Sequence, residues 1–157
     1  ATLGDVYAAR SMIEPLAARL AAQNRPAEAS AALRTHVRVQ RQSLEAPVEV
    51  TRAAADFHRV LMEQCGSQTF ALIGVALHDL VATHQALAHR RNQAELEATL
   101  KLSRTGIRSR ERLADFIGSG EAEQAESHWR SHMTNAGRFL LKDLADTAVV
   151  DILEGKL

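Results

Sequence analysis

Three polar side chains of this sequence, His58, Arg110 and His132, are predicted to point toward the protein core. Each belongs to a series of apolar residues spaced three and four positions apart, which places the series on one face of a helix. The three series are Ala54, His58, Leu61 and Cys65; Ile107, Arg110, Ala114 and Ile117; and Ala125, Trp129, His132, Ala136 and Leu140. Because a buried guanidinium without a partner is costly, an inward Arg110 requires an anion from the protein or from a ligand.

Each of these residues also has a purely structural interpretation. The Arg110 stem could lie along the surface with its head group in water. His58 could be a core histidine that bonds only to its neighbours. A set of inward polar groups on three helices nevertheless favours a binding site in the interior.

His128 and His132 stand four residues apart and could share one metal ion on a helix face. The zinc-protease motif His-Glu-x-x-His is not formed, because Trp129 follows His128. The sequence also contains no glycine-rich phosphate loop, no nucleophile elbow and no Cys-x-x-Cys pair. No motif therefore requires catalysis.

The composition limits the classes of function. The 19 basic and 19 acidic residues give a formal net charge of zero, which disfavours nucleic-acid binding by this domain alone. The single cysteine, Cys65, excludes an internal disulfide framework and a Cys-rich zinc module. No apolar run approaches the roughly 18 residues of a membrane span, and no signal peptide is recognisable. We therefore expect a soluble, cytoplasmic protein without a membrane partner.

Helical segments are predicted to position the inward residues. Abundant alanine and leucine, 4% aromatic residues and three prolines favour helix over sheet. Apolar spacing and helix-breaking residues predict six helices and a short apolar tail. The helices are expected at about residues 4–22, 27–44, 47–64, 69–89, 94–117 and 121–144, and the tail at about 148–153.

Asp5 is well placed to cap the first helix or to act as an acid in its first turn. The sequence contains no internal repeat and no interdomain linker. We therefore predict that residues 1–157 form one all-α domain, an antiparallel bundle of six to seven helices with a central pocket. The apolar residues of the segment 69–89 are expected to contribute to a dimer surface.

Four segments of the sequence resemble the FCD domain of FadR-type GntR transcriptional regulators. Residues 5–15 resemble its opening helix, which reads Asp, apolar, Tyr, Glu, Ala, Arg, then Leu-Glu-Pro, and residues 57–61 resemble its Phe-His-x-x-Leu motif. Residues 116–125 resemble its Ala-Ile-x-x-Gly-Asp segment, and residues 129–133 resemble its closing Met-Arg-x-His-Leu motif. The order and spacing of these segments agree over nearly the whole chain.

The resemblance implies a fold and a function. An FCD domain is an antiparallel bundle of six or seven helices that dimerises and encloses a pocket for a small effector, often a carboxylate. In the family it follows a winged helix-turn-helix domain that contacts DNA, and we expect that domain to be absent from this chain. The resemblance therefore implies an effector-sensing, dimerising regulatory domain and not an enzyme.

The resemblance also bears on metal binding. Many family members hold a divalent metal through an aspartate or asparagine and three histidines. His58 and His132 match two of these positions, whereas the other two are Ala54 and Arg110. An adjacent guanidinium repels a divalent cation, so no cofactor is assigned from the sequence.

Arg110 is instead expected to bind the anionic group of a small metabolite, because its planar head group suits a carboxylate or a phosphate. His58 and His132 would donate hydrogen bonds to the same effector, and Arg10 is a second cationic candidate. A zinc, nickel or manganese ion held by His58, His132 and His128 is the alternative.

Two other functions remain open at this point. A metal-dependent enzyme built on a helical bundle would use His58, His128 and His132. A purely structural dimerisation domain would have a degenerate pocket, with a collapsed apolar interior and Arg110 paired internally. The leading hypothesis is the effector-binding domain, which forms a homodimer and contacts DNA only through the missing N-terminal domain.

Overall fold

Helices dominate residues 1–91 and 96–155, the parts of the chain that the computed structural model describes. Within these residues seven helices follow one another and no strand is formed, which confirms the predicted all-α bundle. The helices are α1 Leu3–Asn24, α2 Pro26–Gln42, α3 Pro47–Gln64, α4 Gln68–Arg91, α5 Leu96–Gly118, α6 Ala122–Leu140 and α7 Val149–Leu153.

Local chemistry explains where the first helices begin. The Thr2 hydroxyl accepts a hydrogen bond from the Asp5 backbone N–H at 3.2 Å, and the Asp5 carboxylate accepts one from the Thr2 N–H at 2.8 Å. This reciprocal capping box satisfies two backbone donors and confirms the predicted role of Asp5. Helices α2 and α3 each begin with a proline, whose missing N–H has no partner to lose in the first turn.

The prediction for the sixth helix was wrong at its end. Helix α6 stops at Leu140 and not at Leu144, and Asp143 adopts a left-handed conformation with φ of 62°. The turn brings the Ala145 carbonyl within 2.8 Å of the Gly4 N–H, which is one of the free donors at the start of α1. Leu144 is buried beside the first turn of α1 instead of continuing the helix.

The helices pack around one main apolar core. Helix α1 lies against α6, α2 lies against α3 and α5, and α3 lies against α4. The largest fully buried side chains of this core are Trp129, Phe57, Leu33, Leu61 and Leu113. Gly74 permits the close approach of α3 and α4, since a Cβ atom there would lie only 2.7 Å from the Met62 Cβ. The packed helices hold the predicted inward residues in place.

One helix within the described residues is long and apolar enough to cross a membrane by length and composition alone. It is the segment Gln68–Leu87 of α4, of which 22% is buried inside the bundle. Leu72 and Val75 are 70% and 54% exposed on this helix. Core helices of water-soluble proteins pass the same test, so the observation by itself is weak evidence for a span.

Candidate functional site

A cavity of about 280 Å³ lies between helices α2, α3, α5 and α6 and also reaches Gln85 of α4. This volume is close to the lower end of the range for small-molecule pockets, roughly 300 Å³. Its polar wall includes Gln40, Ser109, Arg110, His128, His132 and Asn135. Its apolar wall includes Val50, Ala54, Leu102, Ile107, Phe139 and Leu140.

Arg110 is the charged residue among the described residues that line this cavity, and only 9% of it is exposed. Its Nη1 donates a hydrogen bond of 3.3 Å to Gln40 Oε1, while its buried Nε has no hydrogen-bond partner. Among the described residues no carboxylate forms an ion pair with it. Burial lowers the pKa of Arg110 to about 10, so the guanidinium stays protonated at neutral pH. A positive charge without a counterion therefore lines the cavity.

Gly106, one helical turn before Arg110, makes room for this guanidinium. A Cβ atom at residue 106 would lie 2.8 Å from Arg110 Nη1, closer than such contacts allow. Glycine inside a helix costs about 1 kcal/mol relative to alanine. Gly106 was not among the predicted site residues. The usable signal in the sequence was a glycine inside a helix, one turn before an inward arginine.

Ser109 connects the two histidines of the cavity. His128 Nε2 lies 2.8 Å from the Ser109 carbonyl oxygen, which can only accept, so Nε2 of His128 carries a hydrogen. The Ser109 hydroxyl lies 3.0 Å from His132 Nδ1 and can donate to it. Burial and the nearby Arg110 hold the pKa of His132 well below its usual value, so the ring is neutral. We assign Nδ1 of His132 as the acceptor of this bond, and this assignment places the ring proton at Nε2.

His132 Nε2 is buried and has no hydrogen-bond partner among the described residues. The ring stacks on the Trp129 indole, with centroids 4.1 Å apart and planes inclined by 10°. The indole thus fixes the orientation of the imidazole in the cavity wall. Arg110 and His132 together present unpaired donors, the groups that recognise an anion.

A second polar cluster lies beside the cavity and contains its own ion pair. Glu14 accepts a hydrogen bond from Arg10 Nε at 2.7 Å, from His58 Nδ1 at 2.6 Å and from Trp129 Nε1 at 3.1 Å. All four residues are buried. The guanidinium of Arg10 also lies 4.8 Å from the ring centre of Tyr7, a cation–π contact. We refer to Arg10, Glu14, His58 and Trp129 as the Glu14 network.

The charges within the Glu14 network balance. Burial raises the pKa of Glu14, but the Arg10 charge and the hydrogen bonds from His58 and Trp129 lower it to about 2. Burial lowers the pKa of His58 to about 4 against the attraction of Glu14. At neutral pH His58 is therefore uncharged and donates its Nδ1–H to the carboxylate. One guanidinium and one carboxylate remain, and they compensate each other.

The structure separates the predicted site residues into two groups. Arg110, His132 and His128 line the large cavity. His58 and Arg10 instead line a void of about 20 Å³ next to Glu14. The His58 and His132 rings are nevertheless neighbours, with centroids 6.1 Å apart. The predicted inward orientation of His58, Arg110 and His132 is confirmed, whereas a direct role of any site residue in effector binding stays a prediction.

The residues present do not fit the metal site of the family. Among the described residues no group of three or more His, Cys, Asp or Glu side chains is placed to hold a metal ion. Ala54 lines the cavity without a ligand atom, and Arg110 contributes a positive charge there. His128 and His58 use ring nitrogens for the Ser109 carbonyl and for Glu14. The alternative site of His58, His132 and His128 is therefore not assembled.

Glu14 and Gln40 were not among the predicted site residues. Glu14 follows Arg10 by four residues, so the two share one face of α1 with Tyr7. This spacing was a usable signal for the Arg10–Glu14 pair. The contact of Glu14 with His58 spans 44 residues of sequence, and no local pattern marks it.

The comparison with protein families agrees with this architecture. The sequence model described as FCD domain matches residues 5–135, which include the Glu14 network together with Arg110 and His132. The chain has no significant match among curated proteins or among solved structures. FCD domains are effector-binding domains of GntR-type regulators. Because the match covers well over half of the 157 residues, the chain belongs to the FCD domain family.

Proposed function

We propose that this domain senses a small organic anion for a GntR-type transcriptional regulator of the FadR subfamily, and that Arg110 binds the anionic group. The observation that carries the proposal is the buried guanidinium of Arg110, which lines a cavity and has no carboxylate partner among the described residues. A buried charge without a counterion is costly for the folded protein. An anionic ligand that pairs with Arg110 removes this cost, and the free energy recovered in this way strengthens binding.

The neighbouring groups suit recognition of a carboxylate. Gln40 holds one guanidinium nitrogen through its side-chain oxygen and leaves Nε free. The free Nε of Arg110 and the Nε2–H of His132 provide donors for the oxygens of a carboxylate. In this arrangement the guanidinium takes the place of the metal used by many relatives. The open cavity is also unlike the collapsed interior expected of a purely structural dimerisation domain.

The route from the cavity to a dimer surface starts at His84 of α4. His84 is fully buried, and its Nε2 donates to the Leu140 carbonyl at 2.9 Å while its Nδ1 lies 3.0 Å from the Tyr7 hydroxyl. Leu140 lines the cavity, so a ligand that shifts the end of α6 also acts on α4. We infer that effector binding changes the population of dimer geometries through this contact.

The exposed apolar residues Leu72 and Val75 of α4 support this helix as part of the homodimer interface. Analytical ultracentrifugation of the wild-type domain and of the Leu72→Glu/Val75→Glu variant tests this element. The wild type is expected to sediment as a dimer and the variant as a monomer. A variant that remains dimeric would place the interface elsewhere. DNA is contacted, in such a regulator, by a separate winged helix-turn-helix domain.

The effector-binding proposal is testable by fluorescence. Trp129 is the only tryptophan of the sequence, and it stacks on His132 in the cavity wall. Titration with small carboxylates, sugar acids and amino acids is expected to change its emission with at least one of them. Arg110→Gln should weaken that binding by about 10- to 100-fold, since a hydrogen bond to a charged group is lost.

Arg108→Gln is the matched control, because Arg108 lies on the same helix but is exposed. Its affinity should equal that of the wild type. Equal affinities of the Arg110 and Arg108 variants would show that Arg110 is not the anchor. Dialysis against a chelator should leave the affinity of the wild type unchanged, whereas loss of binding would indicate a metal-dependent site.

A further inference from the structure

We infer that the effector is a monoanion with an uncharged, largely apolar body, and that the cavity discriminates against dianions of the same length. The inference rests on the proposed function and concerns the charge of the ligand. It follows from two features of the described residues, the number of fixed charges in the interior and the distribution of polar groups around the cavity.

The fixed charges of the interior leave one positive charge to be neutralised. Arg10, Glu14 and Arg110 are the buried Arg, Lys, Asp and Glu residues of the described chain. The Arg10–Glu14 pair, at 2.7 Å, is balanced in charge without a ligand. Among the described residues that line the cavity, Arg110 is the only Arg, Lys, Asp or Glu. A single carboxylate therefore neutralises the site.

A second carboxylate has no cationic partner among the described residues of the cavity wall. Much of the remaining wall is apolar and includes Val50, Leu102, Ile107 and Phe139. The other polar groups of the wall are neutral amides, hydroxyls and histidines, which can hydrogen bond to an uncharged oxygen of a ligand. A dianion must therefore leave one charge unpaired against this wall or bind with one carboxyl group protonated.

Binding of a dianion with one carboxyl group protonated sets an upper bound on the discrimination. A carboxyl group with an ordinary pKa of about 4.3 is protonated in roughly one molecule in 500 at pH 7. Binding of a dicarboxylate in its monoprotonated form is thus weakened by up to about 500-fold. Water at the mouth of the cavity reduces this factor, so we expect a preference of about 10-fold or more for the monoanion.

Three acids that share a six-carbon chain separate charge from size in a direct test. Hexanoate carries one charge, adipate carries two, and monomethyl adipate keeps the chain of adipate but carries one charge, because a methyl ester replaces the second carboxylate. Binding to the 157-residue chain is followed by Trp129 fluorescence and by the shift of the melting temperature at about 10 mM ligand. Hexanoate and monomethyl adipate should bind with similar affinity, and adipate about 10-fold more weakly or worse.

A gain-of-function variant complements this series. Leu102 lines the cavity and is partly exposed, so Leu102→Arg can add a second guanidinium with little change to the core. The variant should lose the preference and bind adipate at least as well as monomethyl adipate. Leu102→Gln, which adds a polar but neutral group, should retain the preference of the wild type.

The outcomes distinguish failure of this inference from failure of the proposed function. If adipate binds the wild type as tightly as monomethyl adipate, the cavity accepts dianions and the inference is wrong, while anion binding stands. If Leu102→Arg leaves the preference unchanged, the charge of the cavity does not set it. If none of the three acids binds at about 10 mM but a sugar acid or an amino acid binds through Arg110, the inferred apolar body of the ligand is wrong, while anion binding stands. If no carboxylate binds, carboxylate recognition by Arg110 fails, and the inference fails with it.

Discussion

Arg10 and Arg110 are buried cations on the neighbouring helices α1 and α5, and their surroundings differ in one respect. Arg10 bonds to the carboxylate of Glu14, whereas Arg110 bonds, among the described residues, to the neutral amide of Gln40 and faces a cavity. Both guanidinium groups keep buried nitrogens without a hydrogen-bond partner, so the difference lies in the counterion. A paired buried ion contributes to the integrity of the fold, while an unpaired one destabilises it. The comparison supports the proposal that Arg110, and not Arg10, binds the anionic ligand.

The two regions are not independent. Trp129 donates its indole N–H to Glu14 at 3.1 Å and stacks its ring on His132 at 4.1 Å. Trp129 thus belongs to the Glu14 network and also supports the wall of the cavity. Rigid support of this kind holds the donors of a binding site in position before the ligand arrives. We therefore expect anion binding in the cavity to require an intact Glu14 network.

The largest effect is expected when the pairing of Arg10 is removed. Glu14→Gln leaves a buried guanidinium without a counterion and should lower the free energy of unfolding by about 3–5 kcal/mol, measured by urea denaturation. The matched control is Glu63→Gln, because Arg59 and Glu63 form a pair with the same four-residue spacing at a partly exposed site. That change should cost at most about 1 kcal/mol. Similar losses in both variants would contradict the special role of burial.

The reverse experiment removes the unpaired charge. Arg110→Met should raise the free energy of unfolding of the ligand-free domain by about 1–3 kcal/mol, because an apolar side chain of similar length replaces a buried cation. Arg10→Met should instead lower it by about 3–5 kcal/mol, since Glu14 then loses its counterion. Urea denaturation of both variants without ligand provides the measurement. A destabilised Arg110→Met variant would mean that the guanidinium is already compensated within the domain.

The pH dependence of stability should distinguish the two regions further. The folded-state pKa of His58, about 4, lies below its usual 6.5, so the unfolded chain binds a proton first as the pH falls. The stability contributed by a neutral His58 is full above pH 6.5 and is lost between pH 6.5 and 4, at up to about 1.4 kcal/mol per pH unit. The depressed pKa of Glu14, about 2, extends the loss from pH 4.5 toward 2.

The variant His58→Asn can donate to Glu14 but does not titrate in this range. It should flatten the decrease of stability between pH 6.5 and 4, as followed by urea denaturation at several pH values. The remaining slope is expected from His84, whose pKa burial lowers to about 4, and from His132, whose pKa burial also lowers. An unchanged slope in His58→Asn would show that His58 is protonated in the folded domain near neutral pH.

The smallest effect on stability is expected for a substitution at Gly106. The same substitution tests the position of the Arg110 guanidinium. Gly106→Ala should stabilise α5 by up to about 1 kcal/mol. Its Cβ atom, 2.8 Å from Arg110 Nη1, must displace the head group and weaken anion binding. Gly137→Ala is the control, because no atom lies within 4 Å of its added Cβ. Trp129 fluorescence titrations of both variants should reveal weaker binding only for Gly106→Ala.

The sequence by itself determined the helical fold and the inward faces of its helices. The helix predicted at residues 47–64 has the bounds Pro47–Gln64 in the structure. The inward orientation of His58, Arg110 and His132 followed from the spacing of the apolar residues around them. Both features depend on the 3.6-residue periodicity of the helix, which is a local property of the chain. The weak FCD motifs were recognisable for the same reason, since each lies within one short segment.

Only the tertiary structure decided which buried arginine is neutralised. Periodicity identifies the buried face of each helix, but it does not determine which face of another helix lies opposite or how deeply each side chain is placed. The contact of Glu14 with His58 and the cavity beside Arg110 depend on that arrangement of helices. The early end of α6 at Leu140 has the same origin, because the chain turns there to meet the first turn of α1.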